Sequence, residues 1–276
     1  MRPSQIAAQL ECNIKAGIST MLHGSPGVGK SDTVRQLAAR LDWDLRDIRI
    51  SQMDSVDLRG VPSIRDGRTY WNVPSFLPEP GPKPGILFLD EINSAPQSTM
   101  AAAYQLVLDR RLGDYVVPDN WAIIAAGNRQ TDRAIVNQMS TALKNRFVHL
   151  TYDPNIEDWS SWALQADIVP EVLAFLRFRP NLLNEFDAPV GNEDMKQKKR
   201  NMKDATAFAT PRSWEFVSRL VKANQPKDSE FESFSGAVGE GAAVELMAFM
   251  KHHRSLPDLD ALLMNPKTTE VPEEPA

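Results

Sequence analysis

The chain has 276 residues, 42% of them hydrophobic and 24% charged, which suits one large globular domain or a domain with an appended lid. A net charge of −5 argues against a large nucleic-acid-binding surface, and no apolar run approaches the ~18 residues a membrane helix needs. A single cysteine, Cys12, excludes an internal disulfide framework, and the N-terminal stretch MRPSQIAAQLECNIKAG lacks the apolar core of a signal peptide, so the expected compartment is the cytoplasm.

Five short apolar runs, at 18–23, 47–51, 86–90, 122–126 and 147–150, alternate with helical patterns through the first 150 residues. The central runs lack apolar–polar alternation, so they read as strands covered on both faces, as in a parallel sheet. Val34, Leu37, Ala38 and Leu41 mark the face of one crossover helix, and Ala102, Leu106 and Val107 lie in another. The result is an α/β layered domain over residues 1–152. Five prolines in 74–85 predict an extended, stiff approach to the 86–90 strand. Beyond residue 153 the strand signals stop, and 159–166, 170–177, 212–223 and 242–251 read as helices of a smaller all-helical domain over 153–258. Residues 187–204 have no apolar period and read as a solvated loop; 259–276 form a polar, proline-rich tail expected to be disordered.

The stretch HGSPGVGKSD carries the chemistry. Gly24, Ser25, Pro26, Gly27, Val28, Gly29, Lys30 and Ser31 fit the phosphate-loop pattern G-x-x-x-x-G-K-[ST] between a strand and a helix. Glycines let successive backbone N–H groups turn inward onto phosphate oxygens, and the helix start adds its positive dipole end. Lys30 would sit on the β- and γ-phosphates and the Ser31 hydroxyl on Mg²⁺. The run ILFLDE (86–91) supplies two carboxylates at a strand end: Asp90 for the metal, and Glu91 as the base that polarises the attacking water. Asn128, ending WAIIAAGN, stands where ligand contacts gather in parallel sheets. The residues after it, Arg129, Gln130 and Thr131, are not the guanine-selecting N-K-x-D, which favours ATP.

In this order, GSPGVGKS, LFLDEIN, IIAAGN, ALKNRF and TPRSW resemble the AAA+ ATPases, most nearly the MoxR branch, whose relatives are often paired with von Willebrand A-domain proteins. The segment RRLGDYVVPDNW is similar to the hairpin these proteins insert before the sensor strand. The resemblance implies a five-stranded parallel sheet with a helical lid, Walker A at Lys30 and Ser31, Walker B at Asp90 and Glu91, and sensor 1 at Asn128. It further implies sensor 2 at Arg212 and an arginine finger at Arg146 that reaches into a neighbouring subunit. A homo-oligomeric ring, most often a hexamer, follows, with ATP and Mg²⁺ as cofactors and remodelling of a partner protein complex as the work.

Other features stay open. Arg146 alone also fits as a cation capping a helix end, although Lys144 can serve there. Tyr70 and Trp71 follow a hairpin turn at Asp66–Gly67 and either grip a substrate or pack against the sheet. Lys196, Lys198, Lys199, Arg200 and Lys203 form a basic cluster that, with the hairpin, supports a nucleic-acid motor or clamp-loader type as the alternative function. His23, His149, His252 and His253 show no metal-binding spacing, so no transition metal is expected.

Overall fold

The computed structural model describes residues 1–129, 137–185 and 206–253. Five strands pair in parallel in the order β2-β5-β8-β1-β9: β1 (Thr20–His23), β2 (Asp44–Arg49), β5 (Gly85–Asp90), β8 (Trp121–Gly127) and β9 (Val148–Thr151). The two hairpins interposed in the chain are β3 (Val61–Arg65) with β4 (Arg68–Asn72), and β6 (Arg111–Leu112) with β7 (Tyr115–Val116). By its contacts the chain divides into two units, Met1–Asp153 and Pro154–Ala276.

The apolar runs dictate the layers of the first unit. All six residues of β5 are buried, and they alternate between two cores. Leu87 and Leu89, with Met21, Ile123 and Ala125, face helix α4 (Gln97–Asp109), whose Met100, Ala103 and Leu106 meet them. Ile86 and Phe88, with Leu22, Ile124 and Ala126, face α1 (Pro3–Lys15) and α2 (Lys30–Leu41) through Ile6, Leu10, Val34 and Leu37. A strand that needs apolar contact on both sides must lie inside a sandwich of helices. Because every strand runs the same way, their carboxyl ends share one edge, with the loop after β1 between the ends of β8 and β9.

Element boundaries depart from expectation where sequence periodicity misleads. β1 begins at Thr20 rather than residue 18, since the chain leaves α1 in a turn where Ile18 N bonds Asn13 O and the Ile18 side chain stays 45% exposed. β2 occupies Asp44–Arg49 rather than 47–51: it is the edge strand, only Ile48 is buried, and Ile50 and Ser51 enter a 3₁₀ turn (Ile50–Gln52). α1 is an element the sequence patterning did not signal. β3 and β4 turn through Asp66 (φ 50°) and Gly67 (φ 72°), both in the left-handed region that a two-residue hairpin of this hand requires. Tyr70 and Trp71 on β4 are each 43% exposed, so packing into the core is not their use.

The second unit is helical: α6 (Ile156–Gln165), α7 (Pro170–Phe178), and the helices Pro211–Lys222, Glu230–Val238 and Glu240–His253. The Glu230–Val238 helix was not expected. Phe175 and Trp214 meet at 5.5 Å in its core, and the buried Trp214 indole donates to the Leu182 carbonyl at 2.8 Å. Phe216, on the same helix as Trp214, is 46% exposed. The 187–204 loop with its basic cluster and the 259–276 tail lie outside the described residues.

β1 and β9 also bring together two histidines 126 residues apart. His23 and His149 stack at 5.1 Å between ring centroids, with His23 Nε2 and His149 Nδ1 2.8 Å apart and His149 Nε2 2.7 Å from the Lys144 carbonyl. A carbonyl only accepts, so Nε2 of His149 carries the proton and, in the neutral ring, its Nδ1 is bare. With that ring neutral, His23 Nε2–H is the donor between the rings. Burial first, and then His149, Lys30 and Lys144 nearby, lower the His23 pKa from 6.5 to about 4.

Two stability outcomes follow. The folded chain keeps His23 neutral where the unfolded chain would protonate it, so its contribution is complete above pH 6.5 and is lost as pH falls toward about 4. The melting temperature of the wild type should therefore drop more between pH 7 and pH 4 than that of His23→Gln; parallel curves would contradict this. Trp214→Phe leaves the buried Leu182 carbonyl without its donor, at a cost of ~1–3 kcal/mol, to which lost ring contacts add. An unchanged melting temperature for that variant would show the bond to be dispensable.

Candidate functional site

The loop between β1 and α2 takes its shape from two glycines. Gly27 (φ 75°) and Gly29 (φ 101°) hold conformations that other residues resist, and Gly29 immediately precedes the first residue of α2. Gly24 is confined for a different reason: a Cβ there would lie 3.0 Å from Tyr152 Cβ and 3.3 Å from Val28. The Gly24 N–H bonds the Gly127 carbonyl at 3.3 Å, tying the loop to the end of β8. Behind it, the Tyr152 hydroxyl lies 3.0 Å from Thr33 Oγ1 on α2.

Lys30 curls back into this loop and is only 9% exposed. Its ammonium donates to the carbonyls of Gly24 (2.6 Å) and Ser25 (2.9 Å) and to Asn128 Oδ1 (3.4 Å). A buried cation needs such acceptors. Next to it the Ser31 hydroxyl donates to Asp90 Oδ2 at 2.7 Å, and the other Asp90 oxygen accepts from the Glu91 N–H at 2.8 Å. A hydroxyl and a carboxylate this close are hard oxygen donors on one side of the loop. They fit Mg²⁺, which takes one or two protein ligands and completes its shell with water and phosphate. Among the described residues no group of three or more His, Cys, Asp or Glu could hold a metal.

Glu91 leaves β5 in the left-handed conformation (φ 54°, ψ 33°), a strain of ~1–3 kcal/mol for a residue with a Cβ. Its carboxylate accepts a short hydrogen bond from the Ser51 hydroxyl, in the turn after β2. Lys30, Ser31, Asp90, Glu91 and Asn128 thus stand together at the carboxyl ends of β1, β5 and β8.

Three contributors escaped the motif reading. Asn93, buried just after Glu91, donates to the Asn128 carbonyl (2.7 Å) and accepts from the Asn128 N–H (3.1 Å). It clamps that residue's backbone on both sides. The clamp requires Gly127, where a Cβ would lie 2.2 Å from Asn93 Oδ1. The Arg129 guanidinium donates to the buried Ser25 hydroxyl, and Tyr152 backs the loop. The asparagine was visible in LFLDEIN as a family likeness with no role attached; Arg129 and Tyr152 had no spacing to announce them.

Two arginines remain. Arg146 follows the four-residue helix α5 (Thr141–Lys144) and is exposed, with no ion pair to another described residue. It does not cap that helix: the Lys144 carbonyl is held by His149, and those of Thr141 and Leu143 by backbone N–H groups of Asn145 and Arg146. A cleft of about 560 Å³ lies beside it, lined by His23, Asn93, Asn128, Lys144, Asn145 and His149 among others. Arg212 belongs to the second unit, exposed at the second position of the helix Pro211–Lys222, which Thr210 and Ser213 cap reciprocally at 3.1 and 2.8 Å.

The chain is similar to several known proteins. Residues 19–147 match the AAA domain of the dynein-related subfamily. The denitrification regulatory protein NirQ of Pseudomonas aeruginosa is 27% identical over 145 residues, covering 50% of this chain and 55% of NirQ. The chain thus spans about half the length of that relative. Among solved structures, a RuvB variant of Thermotoga maritima matches with a TM-score of 0.47 at 14% identity, over 90% of this chain and 69% of that one. A candidate ATPase of Cytophaga hutchinsonii matches with a TM-score of 0.45 at 18% identity, over 90% and 88%. No helix among the described residues is long and apolar enough to cross a membrane. Over residues 19–147 the chain resembles the AAA domains of the dynein-related subfamily.

Proposed function

We propose that this chain hydrolyses ATP at the boundary between two copies of itself in a cytoplasmic ring, most simply a hexamer, and uses the cycle to remodel a partner protein complex. The observation that carries the reading is the convergence of Lys30, Ser31, Asp90, Glu91 and Asn128 on one sheet edge. Lys30 would exchange the Gly24 and Ser25 carbonyls for β- and γ-phosphate oxygens. Ser31 and Asp90 would hold Mg²⁺, which supplies charge neutralisation on the phosphates when bound. Glu91 would take the proton of the attacking water as its oxygen bonds the γ-phosphorus and the β–γ bridging P–O bond breaks, releasing ADP and phosphate. Asn128, held by Asn93, would orient that water.

Arg146 is assigned to the neighbouring subunit's phosphates, because nothing among the described residues of its own chain pairs with its charge. Arg212 would report the γ-phosphate from the helical unit. The likeness is to NirQ, a protein named as regulatory; a von Willebrand A-domain protein is the partner class proposed, from the resemblance carried by LFLDEIN and the motifs around it.

Arg146→Ala should keep nucleotide binding and lose hydrolysis by ~10³-fold or more, as trans-acting arginine fingers do. Glu91→Gln should bind ATP and fail to turn it over. Mixing Arg146→Ala with Lys30→Ala should restore part of the rate, since a mixed ring can pair an intact pocket with an intact finger. Assembly of the mixture without recovered activity would refute the trans assignment. Single- or double-stranded nucleic acid should leave the rate unchanged; a stimulation that weakens with salt would favour a nucleic-acid motor instead.

A further inference from the structure

Arg146 sits in an exposed turn that its own helix cannot hold. α5 has only four residues, far below the length at which a helix is stable by itself. Leu143 and Phe147 anchor the turn apolarly, being 0% and 7% exposed. One polar anchor from outside the helix is the bond from His149 Nε2 to the Lys144 carbonyl, two residues before the arginine. The other nitrogen of the same ring is hydrogen-bonded to His23 Nε2, and His23 is followed directly by Gly24, whose carbonyl holds the Lys30 ammonium.

We propose that His149 is a positioning residue for the Arg146 finger, and that the His23–His149 pair ties the turn carrying the finger to the nucleotide loop of the same subunit. The proposal rests on the trans assignment of Arg146 made above. A guanidinium that must meet a transferring phosphoryl group needs its backbone placed to about an ångström, since a 1 Å misplacement costs ~10²-fold in rate. The turn itself offers short-range backbone bonds: Asn145 N to Thr141 O at 3.1 Å, Arg146 N to Leu143 O at 3.0 Å and Phe147 N to Lys144 O at 3.4 Å. His149 adds a fixed point on β9. His23, Asn128, Lys144, Asn145 and His149 line one cleft, so the sensor asparagine of a subunit and the turn bearing its finger share the same walls. When phosphate draws Lys30 off the Gly24 carbonyl, the change is one peptide and two ring contacts away from the Lys144 carbonyl. A subunit's own nucleotide thereby bears on the finger it presents to its neighbour.

The test uses the full chain. His149→Phe keeps a ring to stack on His23 and removes both hydrogen bonds; it should lower kcat by ~10–10²-fold while the affinity for a non-hydrolysed ATP analogue stays within about twofold. His149→Gln, which retains a donor near the carbonyl, should recover much of the rate. Mixed with Lys30→Ala, whose finger is intact, His149→Phe should regain activity; mixed with Arg146→Ala it should not. A loss that Lys30→Ala does not rescue would place the defect in the variant's own pocket and overturn the proposal. So would a wild-type rate for His149→Phe while Arg146→Ala is inactive. If Arg146→Ala itself is fully active, the trans assignment fails instead, and the two failures are told apart. Where His149→Phe does not fold, His149→Asn, too short to span to the carbonyl, should show the same loss and the same pattern of rescue, and a wild-type rate there would equally refute the role.

Discussion

A positive charge held almost out of water at the end of a parallel sheet is the constraint on which the rest of this structure depends. Lys30 is 9% exposed, and its ammonium is satisfied mainly by two carbonyls of the loop that precedes it. Neutral acceptors offset the loss of hydration without cancelling the charge. The site therefore keeps a net attraction for an anion, with loop N–H groups and the start of α2 adding to it. Placing the charge there demands left-handed backbone at Gly27 and Gly29, space at Gly24 against Tyr152, and a sheet whose strands all end on the same side. The alternating burial of β5 and β8 between two helical layers serves that last demand.

The acidic side of the site is held with equal economy. Asp90 has one oxygen on Ser31 and the other on the Glu91 N–H, so its carboxylate is oriented before any ligand arrives. Glu91 is turned aside by an unfavourable backbone angle, and its carboxylate rests on Ser51 from the turn after β2. Adjacent acids in a strand would ordinarily point to opposite faces; the kink at Glu91 is what frees the second one from the sheet. Asn93, three residues after Asp90, then holds Asn128 across the gap to β8, and Gly127 is small because Asn93 stands where its side chain would be. One short segment, Asp90 to Asn93, thus organises two strand ends.

Much of this was legible in the sequence, for identifiable reasons. The buried strands β5 and β8 announce themselves because both of their faces are apolar, and the phosphate loop because glycine, lysine and serine are required at fixed spacing. β2 was displaced by three residues because an edge strand with a single buried residue carries little periodic signal. α1, though 13 residues long, and the nine-residue Glu230–Val238 helix went unseen because each buries only three residues. Asn93, Arg129 and Tyr152 act through contacts 35, 104 and 119 residues away in sequence, which no local pattern encodes. The His23–His149 pair is the clearest case: neither residue stands in a metal or catalytic spacing, and only the parallel pairing of β1 with β9 makes them neighbours.

Arg146 gains its sense from electrostatics. An exposed guanidinium costs little in water and contributes little while it stays there. On the proposed reading, Arg146 acquires its effect only when a second subunit closes over it and a nucleotide supplies the opposing charge, because the same attraction grows as water is excluded. Nucleotide, magnesium and neighbour would then be required together, and none would suffice alone. On that reading a chain that concentrates Lys30 and Arg129 around one loop, and leaves Arg146 exposed in the turn before β9, would have its chemistry completed by assembly. The arginine proposed to need the most precise placement sits in the exposed turn after a four-residue helix, and on that proposal the histidine pair bridging β1 and β9 would matter to a reaction neither ring touches.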